Sequence, residues 1–114
     1  MRIQLEGSQN YIDLREVEIW APASATRANL AIGRAATQST TSVANDLAET
    51  AVDGLSNLYY QMTRTESRPW WQVDLGALRE ISTISLFKPT CCASPLLNFY
   101  LLVSDEPMTG TLDE

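Results

Sequence analysis

Tyr59, Tyr60 and Gln61 are followed closely by Arg64 and Arg68, and Lys88 lies further along the chain. Tyrosine rings stack on the apolar face of a pyranose, while amide, guanidinium and ammonium groups donate to its hydroxyls. The same residues have plainer uses, because paired tyrosines also cap a core and single arginines also stand in solvent. Cys91 and Cys92 are adjacent. Neighbouring α-carbons lie about 3.8 Å apart, closer than an ordinary disulfide prefers. The pair is therefore a strained bridge between neighbours, two reduced thiols, or a pair of links to other chains. It lacks the C-x-x-C spacing of a redox enzyme.

Other chemistry is missing. The chain has no histidine, which removes histidine triads, His-rich zinc sites and imidazole acid/base catalysis. Glu16, Glu18, Asp53 and Asp74 are carboxylates, yet nothing pairs them as a hydrolase acid and nucleophile. No phosphate-cradling glycine loop, GxSxG or zinc spacing occurs. The expectation is a protein that binds without catalysing.

The elements that must position these residues read as strands. Arg2–Leu5 alternates polar and apolar, as does Arg15–Trp20 in its second half. Trp71–Leu75 and Ile81–Leu86 repeat the pattern with some slippage, and Asn98–Val103 is short enough to be a strand covered on both faces. Asn10–Leu14 reads as a short irregular segment. Ala44–Val52 is alanine-rich and predicts a turn or two of helix, stopped by Asp53-Gly54. Short strands broken by Gly, Asn, Asp, Pro and Ser imply an antiparallel sandwich.

With 114 residues, 45% hydrophobic and 19% charged, the chain suits one globular domain with a modest core. Eight basic residues against fourteen acidic ones give a net charge of −6. That balance argues against nucleic acid and against anionic lipid as partners. No apolar run approaches the roughly 18–20 residues of a bilayer span, so membrane insertion is not expected. The first residues lack the apolar stretch of a secretory signal.

Several stretches resemble the F-type lectin (fucolectin) and discoidin, or coagulation-factor type C, group of galactose-binding-like domains. Asn29–Thr40 is similar to the group's opening, NLA-x-GKPATQSS. Ala51-Val52-Asp53-Gly54 matches its AVDG turn, and Pro69–Gly76 matches PWWQVDLG. Cys91-Cys92 with Asn98-Phe99-Tyr100 and Val103-Ser104-Asp105 resembles the lectins' CC…NFYVxVSD. These stretches keep the family's order across residues 29–106. The fold implied is an all-β, galactose-binding-like jelly-roll β-sandwich.

Residues 2–19 resemble RIQL-x-G-x-NYLSLAEVEV, which in the family closes the domain rather than opening it. The expected organisation is thus residues 1–20 as displaced terminal strands, 21–28 as a linker and 29–114 as the body. Three arrangements satisfy this: a circularly permuted or truncated sandwich, a slice across tandem domains, or a homo-oligomer joined by strand exchange at the N-terminus.

The resemblance also implies a calcium site. Asp53 and Glu16 would give carboxylates, Thr50, Leu55 and Arg15 backbone carbonyls, and Thr63 a hydroxyl. Six to eight hard oxygens of mixed kind are what calcium takes. Because Glu16 lies on the displaced segment, the ion would clip that segment to the body. The plainer reading makes Asp53 a turn residue and Glu16 a solvated strand carboxylate.

For the cysteines, the resemblance implies a vicinal disulfide placed against a sugar's apolar face, and with it an oxidising, extracellular or cell-surface setting. The implied glycan rim comprises Tyr59, Tyr60, Gln61, Arg64, Arg68, Lys88, Cys91 and Cys92. The family's fucose signature, a histidine with two arginines and an aspartate, is absent. Lys88, Thr90 and Pro95 fall at the arginine, aspartate and second arginine positions, and a lysine lacks the planar fork that grips two hydroxyls. Fucose held in the family's manner is therefore not expected. Trp70, Trp71 and Trp20 are assigned to packing. The leading expectation is a non-catalytic, calcium-stabilised carbohydrate-binding adhesion or recognition module. The alternative is a self-assembling structural subunit whose N-terminal strands complete a neighbour.

Overall fold

The computed structural model describes residues 1–22, 28–55, 60–89, 99–106 and 108–110. Eight strands are formed: β1 (Arg2–Leu5), β2 (Asp13–Leu14), β3 (Glu16–Trp20), β4 (Ala35–Gln38), β5 (Gln61–Met62), β6 (Trp70–Asp74), β7 (Thr83–Phe87) and β8 (Phe99–Leu102). A 3-10 helix at Ala48–Val52 is the one helical element among the described residues. The structure is all-β, as the strand patterns require.

One sheet has the order β4-β6-β1-β8, and β3 pairs with β7 and β2 with β5 in two smaller sheets. Every pairing is antiparallel. β1 sits inside the larger sheet, with Ile3 opposite Trp71 on one side and Leu101 on the other. The N-terminal strand is therefore placed between β6 and β8 of its own chain.

Alternation decides which side chains face inward. Ile3, Val17, Ile19 and Trp71 are fully buried, whereas Glu18, Trp20 and Gln72 are half-buried. Between β2 and β3 the alternation slips. Ile12, Leu14, Val17 and Ile19 are all fully buried, so one interval is three residues instead of two. The cause is a β-bulge. The Arg15 amide donates to the Phe87 carbonyl at 2.8 Å, while Glu16 is also registered against Phe87. Two residues on one strand oppose one on its partner, and the inward phase is reset.

Arg2 and Gln4, on the other face of β1, are also buried, at 0% and 3% exposure. Residues 108–110 return across this face. The Arg2 guanidinium donates to the Met108 and Gly110 carbonyls and to Gln72 Oε1, and its carbon centre stands 4.1 Å above the Trp70 ring. Trp71 donates its indole N–H to the Ala48 carbonyl at 2.9 Å, which fixes the 3-10 helix to the core.

Two expectations shift. The helix is shorter than Ala44–Val52 and of 3-10 type; Ala48, Ala51 and Val52 pack inward, and Gly54 turns the chain at φ 77°. β8 is not covered on both faces, because it ends its sheet and leaves Phe99, Tyr100 and Leu101 at 38%, 40% and 43% exposure. Most of the proposed linker, residues 23–27, lies outside the described residues.

Candidate functional site

Glu16 sits at the bulge, where β3 begins and the chain passes beneath the turn that follows the 3-10 helix. Its Oε2 accepts the Gly54 amide at 2.9 Å. Its Oε1 is buried and has no hydrogen-bond partner. Asp53 closes its own small turn, with Oδ1 accepting the Leu55 amide at 2.8 Å. Burial pushes the Glu16 carboxyl up to about 7; the neighbouring Asp53 carboxylate adds to the rise, and the Gly54 amide opposes it. Two acidic groups thus converge with one buried oxygen unspent.

That donor set fits a hard divalent cation, which favours carboxylate and neutral oxygen together. Thr50 and Leu55 flank the Asp53–Gly54 turn, and Arg15 directly precedes Glu16 in the bulge. Thr63 does not join them. Its hydroxyl accepts the Ile12 amide at 3.0 Å and donates to the Arg64 carbonyl at 3.1 Å. Among the described residues no three His, Cys, Asp or Glu side chains form a cluster, so a cation here would rest on two carboxylates and on neutral oxygens.

The residues expected at a glycan rim fall around the β5–β6 connection and the end of β7. That connection is pinned on two sides. Asn10 and Glu66 exchange backbone hydrogen bonds at 3.0 and 2.8 Å, and the Arg68 amide donates to the Gly7 carbonyl at 2.9 Å. Glu66 Oε2 accepts the hydroxyls of Ser39 and Thr40. Arg64 is exposed, its amide donating to Thr40 Oγ1 at 2.9 Å and its Nε to the Thr41 carbonyl at 3.2 Å. Arg68 is half-buried and adopts φ 48°, unusual for a residue with a side chain.

Gln61 departs from the expectation. It is fully buried, and its Nε2 donates to the Ile12 carbonyl at 3.2 Å. Opposite Leu14 in the β2–β5 ladder it is a core residue, out of reach of a surface ligand. Tyr60 and Lys88 are half-buried. Tyr59, Cys91 and Cys92, and with them the disulfide expectation, lie outside the described residues.

Asp13 was not singled out from the sequence. It is 3% exposed and burial raises its pKa, while the Lys88 ammonium acts in the opposite direction. The available signal was an acidic residue between two core positions, Ile12 and Leu14. Lys88, just past β7, thus offsets part of the cost of burying Asp13.

A cavity of about 460 Å³ opens elsewhere, between the end of β6 and the residues after β8, with Val73, Asp74, Leu78, Val103 and Asp105 in its wall. None of the ligand-contact residues expected from the sequence lines it. No helix among the described residues is long and apolar enough to cross a membrane.

Comparison with known proteins gives one family. The family model described as "NedA-like, galactose-binding domain" matches residues 50–112, more than half of the chain. No curated protein and no solved structure matches the chain.

Proposed function

The chain belongs to the NedA-like galactose-binding domain family, and from that premise we propose a calcium-stabilised carbohydrate-binding module that presents Arg64 and Lys88 to a glycan. Domains of this family are generally non-catalytic binding modules. The observation that supports the reading is the pinned β5–β6 connection. Its hydrogen bonds to Gly7, Asn10 and Thr40 hold Arg64 at the surface before any ligand arrives. Donors fixed in advance lose little conformational entropy on binding.

The guanidinium of Arg64 and the ammonium of Lys88 donate to sugar hydroxyls, and Tyr60 offers a ring to the apolar face of the pyranose. No bond is made or broken. Glu16 and Asp53 would supply carboxylates to the cation, and the carbonyls of Arg15, Thr50 and Leu55 would be its neutral ligands. A cation held there would neutralise two neighbouring acids, and Glu16 and Asp53 would through it tie the turn after the 3-10 helix to the start of β3.

A broad glycan array, run in calcium and again after chelation, tests the reading. The expected result is specific binding that weakens on chelation. It should fall at least about tenfold in Arg64→Ala or Lys88→Ala, each the loss of a charged hydrogen bond; the melting temperature should hold in Arg64→Ala, whereas Lys88→Ala also removes the cation near buried Asp13. Folded protein that binds nothing in either condition overturns the carbohydrate assignment. Binding that is indifferent to chelation overturns the calcium assignment alone.

A further inference from the structure

The β5–β6 connection spans residues 63–69, and Glu66 stands halfway along it. The Glu66 backbone is paired with Asn10, while its side chain reaches the residues after β4. Glu66 Oε2 accepts the Ser39 hydroxyl at 2.8 Å and the Thr40 hydroxyl as well. Each of these hydroxyls in turn accepts a backbone amide. Ser39 Oγ accepts from Trp70 at 3.0 Å, and Thr40 Oγ1 accepts from Arg64 at 2.9 Å. One carboxylate oxygen thus holds both ends of its own loop through two hydroxyls.

A hydroxyl has one hydrogen to give and two lone pairs, whereas an ionised carboxylate only accepts. The direction of both chains is therefore fixed, from amide to hydroxyl to carboxylate. Hydrogen bonds that end on a charge are the strong ones, and they polarise those behind them. The two branches differ in what else supports them. Ser39 Oγ has a second acceptor in the Trp70 carbonyl at 3.4 Å, and the Ser39 amide donates to that same carbonyl at 2.9 Å. For the Thr40 hydroxyl, Glu66 is the acceptor among the described residues. The Arg64 end of the loop leans on Glu66 more heavily than the Trp70 end does.

We propose that Glu66 is a positioning residue which, acting through the Thr40 hydroxyl, sets where Arg64 presents its guanidinium. Arg64 is exposed, so packing does not hold it. Its amide rests on Thr40 and its Nε on the Thr41 carbonyl at 3.2 Å, so main chain and side chain are both anchored to residues 40–41. Glu66 fixes those residues against the loop.

The arrangement makes the branches separable. Thr40→Val removes one hydroxyl at nearly constant volume and frees the Arg64 amide. Ser39→Ala frees the Trp70 amide and leaves Arg64 in place. Glu66→Ala withdraws the acceptor from both hydroxyls, while Glu66→Gln keeps a neutral oxygen for them and so restores part of the effect. A guanidinium set in advance loses less conformational freedom when a ligand binds. That benefit to a glycan rests on the carbohydrate reading; the placing of Arg64 does not.

Amide exchange measured by nuclear magnetic resonance on the ligand-free chain tests the proposal. In Glu66→Ala and in Thr40→Val the Arg64 amide should exchange at least about tenfold faster, the loss of one hydrogen bond in a charge-assisted chain. Glu66→Gln should fall between wild type and Glu66→Ala, and Ser39→Ala should move Trp70 alone. If Glu66→Ala fails to fold, Thr40→Val decides. An Arg64 amide unchanged in Thr40→Val overturns the proposal, as does one accelerated equally in Ser39→Ala, which would mean that the loop loosens as a whole. The glycan array, run on Glu66→Ala, Arg64→Ala and the double variant, adds a second readout. Glu66→Ala should weaken binding several-fold alone and cost nothing further once Arg64 is gone; a further loss there overturns the proposal. A folded wild type silent on the array removes the carbohydrate reading, and the exchange pattern then upholds or overturns the role of Glu66 by itself.

Discussion

Glu16 and Gly54 are joined by a 2.9 Å hydrogen bond across 38 residues of chain. It runs from the turn that ends the 3-10 helix to the bulge that opens β3. The bond satisfies one oxygen of a buried carboxylate and leaves the other with no partner. The second oxygen makes this contact a candidate cation site as well as a tether between two segments, because an unpaired buried charge is costly until something positive meets it.

The first prediction concerns pH. The Glu16 carboxyl is pushed up to about 7 in the folded chain, chiefly by burial, and an unfolded chain releases that proton near the ordinary glutamate value. Between these limits the native state holds more protons than the unfolded state, so stability falls as pH rises. In calcium-free protein the contribution is complete below about pH 4.5 and gone once pH has passed through about 7. Asp13 and Asp46 are raised by burial too and act with the same sign. Thermal melts of wild type and Glu16→Gln between those limits should show the variant with the flatter profile and the higher melting temperature at the alkaline end. Added calcium should raise the wild-type melting temperature most above pH 7 and leave Glu16→Gln unmoved. Parallel profiles for the two proteins would refute the assignment.

Arg2 is the subject of a second prediction. Its guanidinium satisfies the Met108 and Gly110 carbonyls and Gln72, and it covers the Trp70 ring. Arg2→Met keeps the apolar stem but strands those acceptors. The expected cost is about 2–4 kcal/mol, from lost charge-assisted hydrogen bonds and one lost cation–π contact. Urea unfolding measures the loss, and hydrogen exchange should show residues 108–110 loosened before the rest of the sheet.

A third prediction concerns Gly7. At φ 92° it occupies backbone that side chains avoid, and an added Cβ would lie 2.7 Å from Asn10 Nδ2. Gly7→Ala should therefore cost about 1–2 kcal/mol in backbone strain alone and displace Asn10. Because the Gly7 carbonyl accepts the Arg68 amide, the β5–β6 connection should loosen. Faster exchange at Arg68 together with weaker glycan binding is the expected pair of results. Unchanged exchange would show that the loop is held from the Ser39–Thr41 side alone.

Much of the fold was legible because period-two patterning is local. Val17 and Ile19 declare the inner face of β3, and Trp71 and Val73 that of β6. The bulge at Arg15–Glu16 was not legible. It breaks the period that makes strands readable, and what identifies it is a hydrogen bond to Phe87, far along the chain. Arg2 and Gln4 read as solvent-facing from alternation alone, yet the returning segment at Met108–Gly110 buries them. β8 read as doubly covered from its apolar run, whereas its place at the end of the sheet leaves it open; composition does not encode sheet order.

Site legibility divides in the same way. Glu16 and Asp53 were reached through the family resemblance, and the structure brings them together, with the Gly54 amide donating to Glu16. Thr63 and Gln61 were expected as ligands and are instead spent on Ile12, because β2 and β5 pair at that point. Asp13 escaped notice because an isolated acidic residue in a strand ordinarily faces water.

The interior position of β1 bears on how the molecule comes into being. Residues 2–5 leave the ribosome well before their partners on either side, residues 70–72 and 99–102. The strand at the middle of the larger sheet must wait for residues 99–102 to be made. Until then β1 lacks the full pair of its native strand partners, and closing such distant pairs is slow. Nascent chains halted before Phe99 would hold β1 by one edge alone, a form exposed to mispairing with neighbouring chains and dependent on chaperones for its survival.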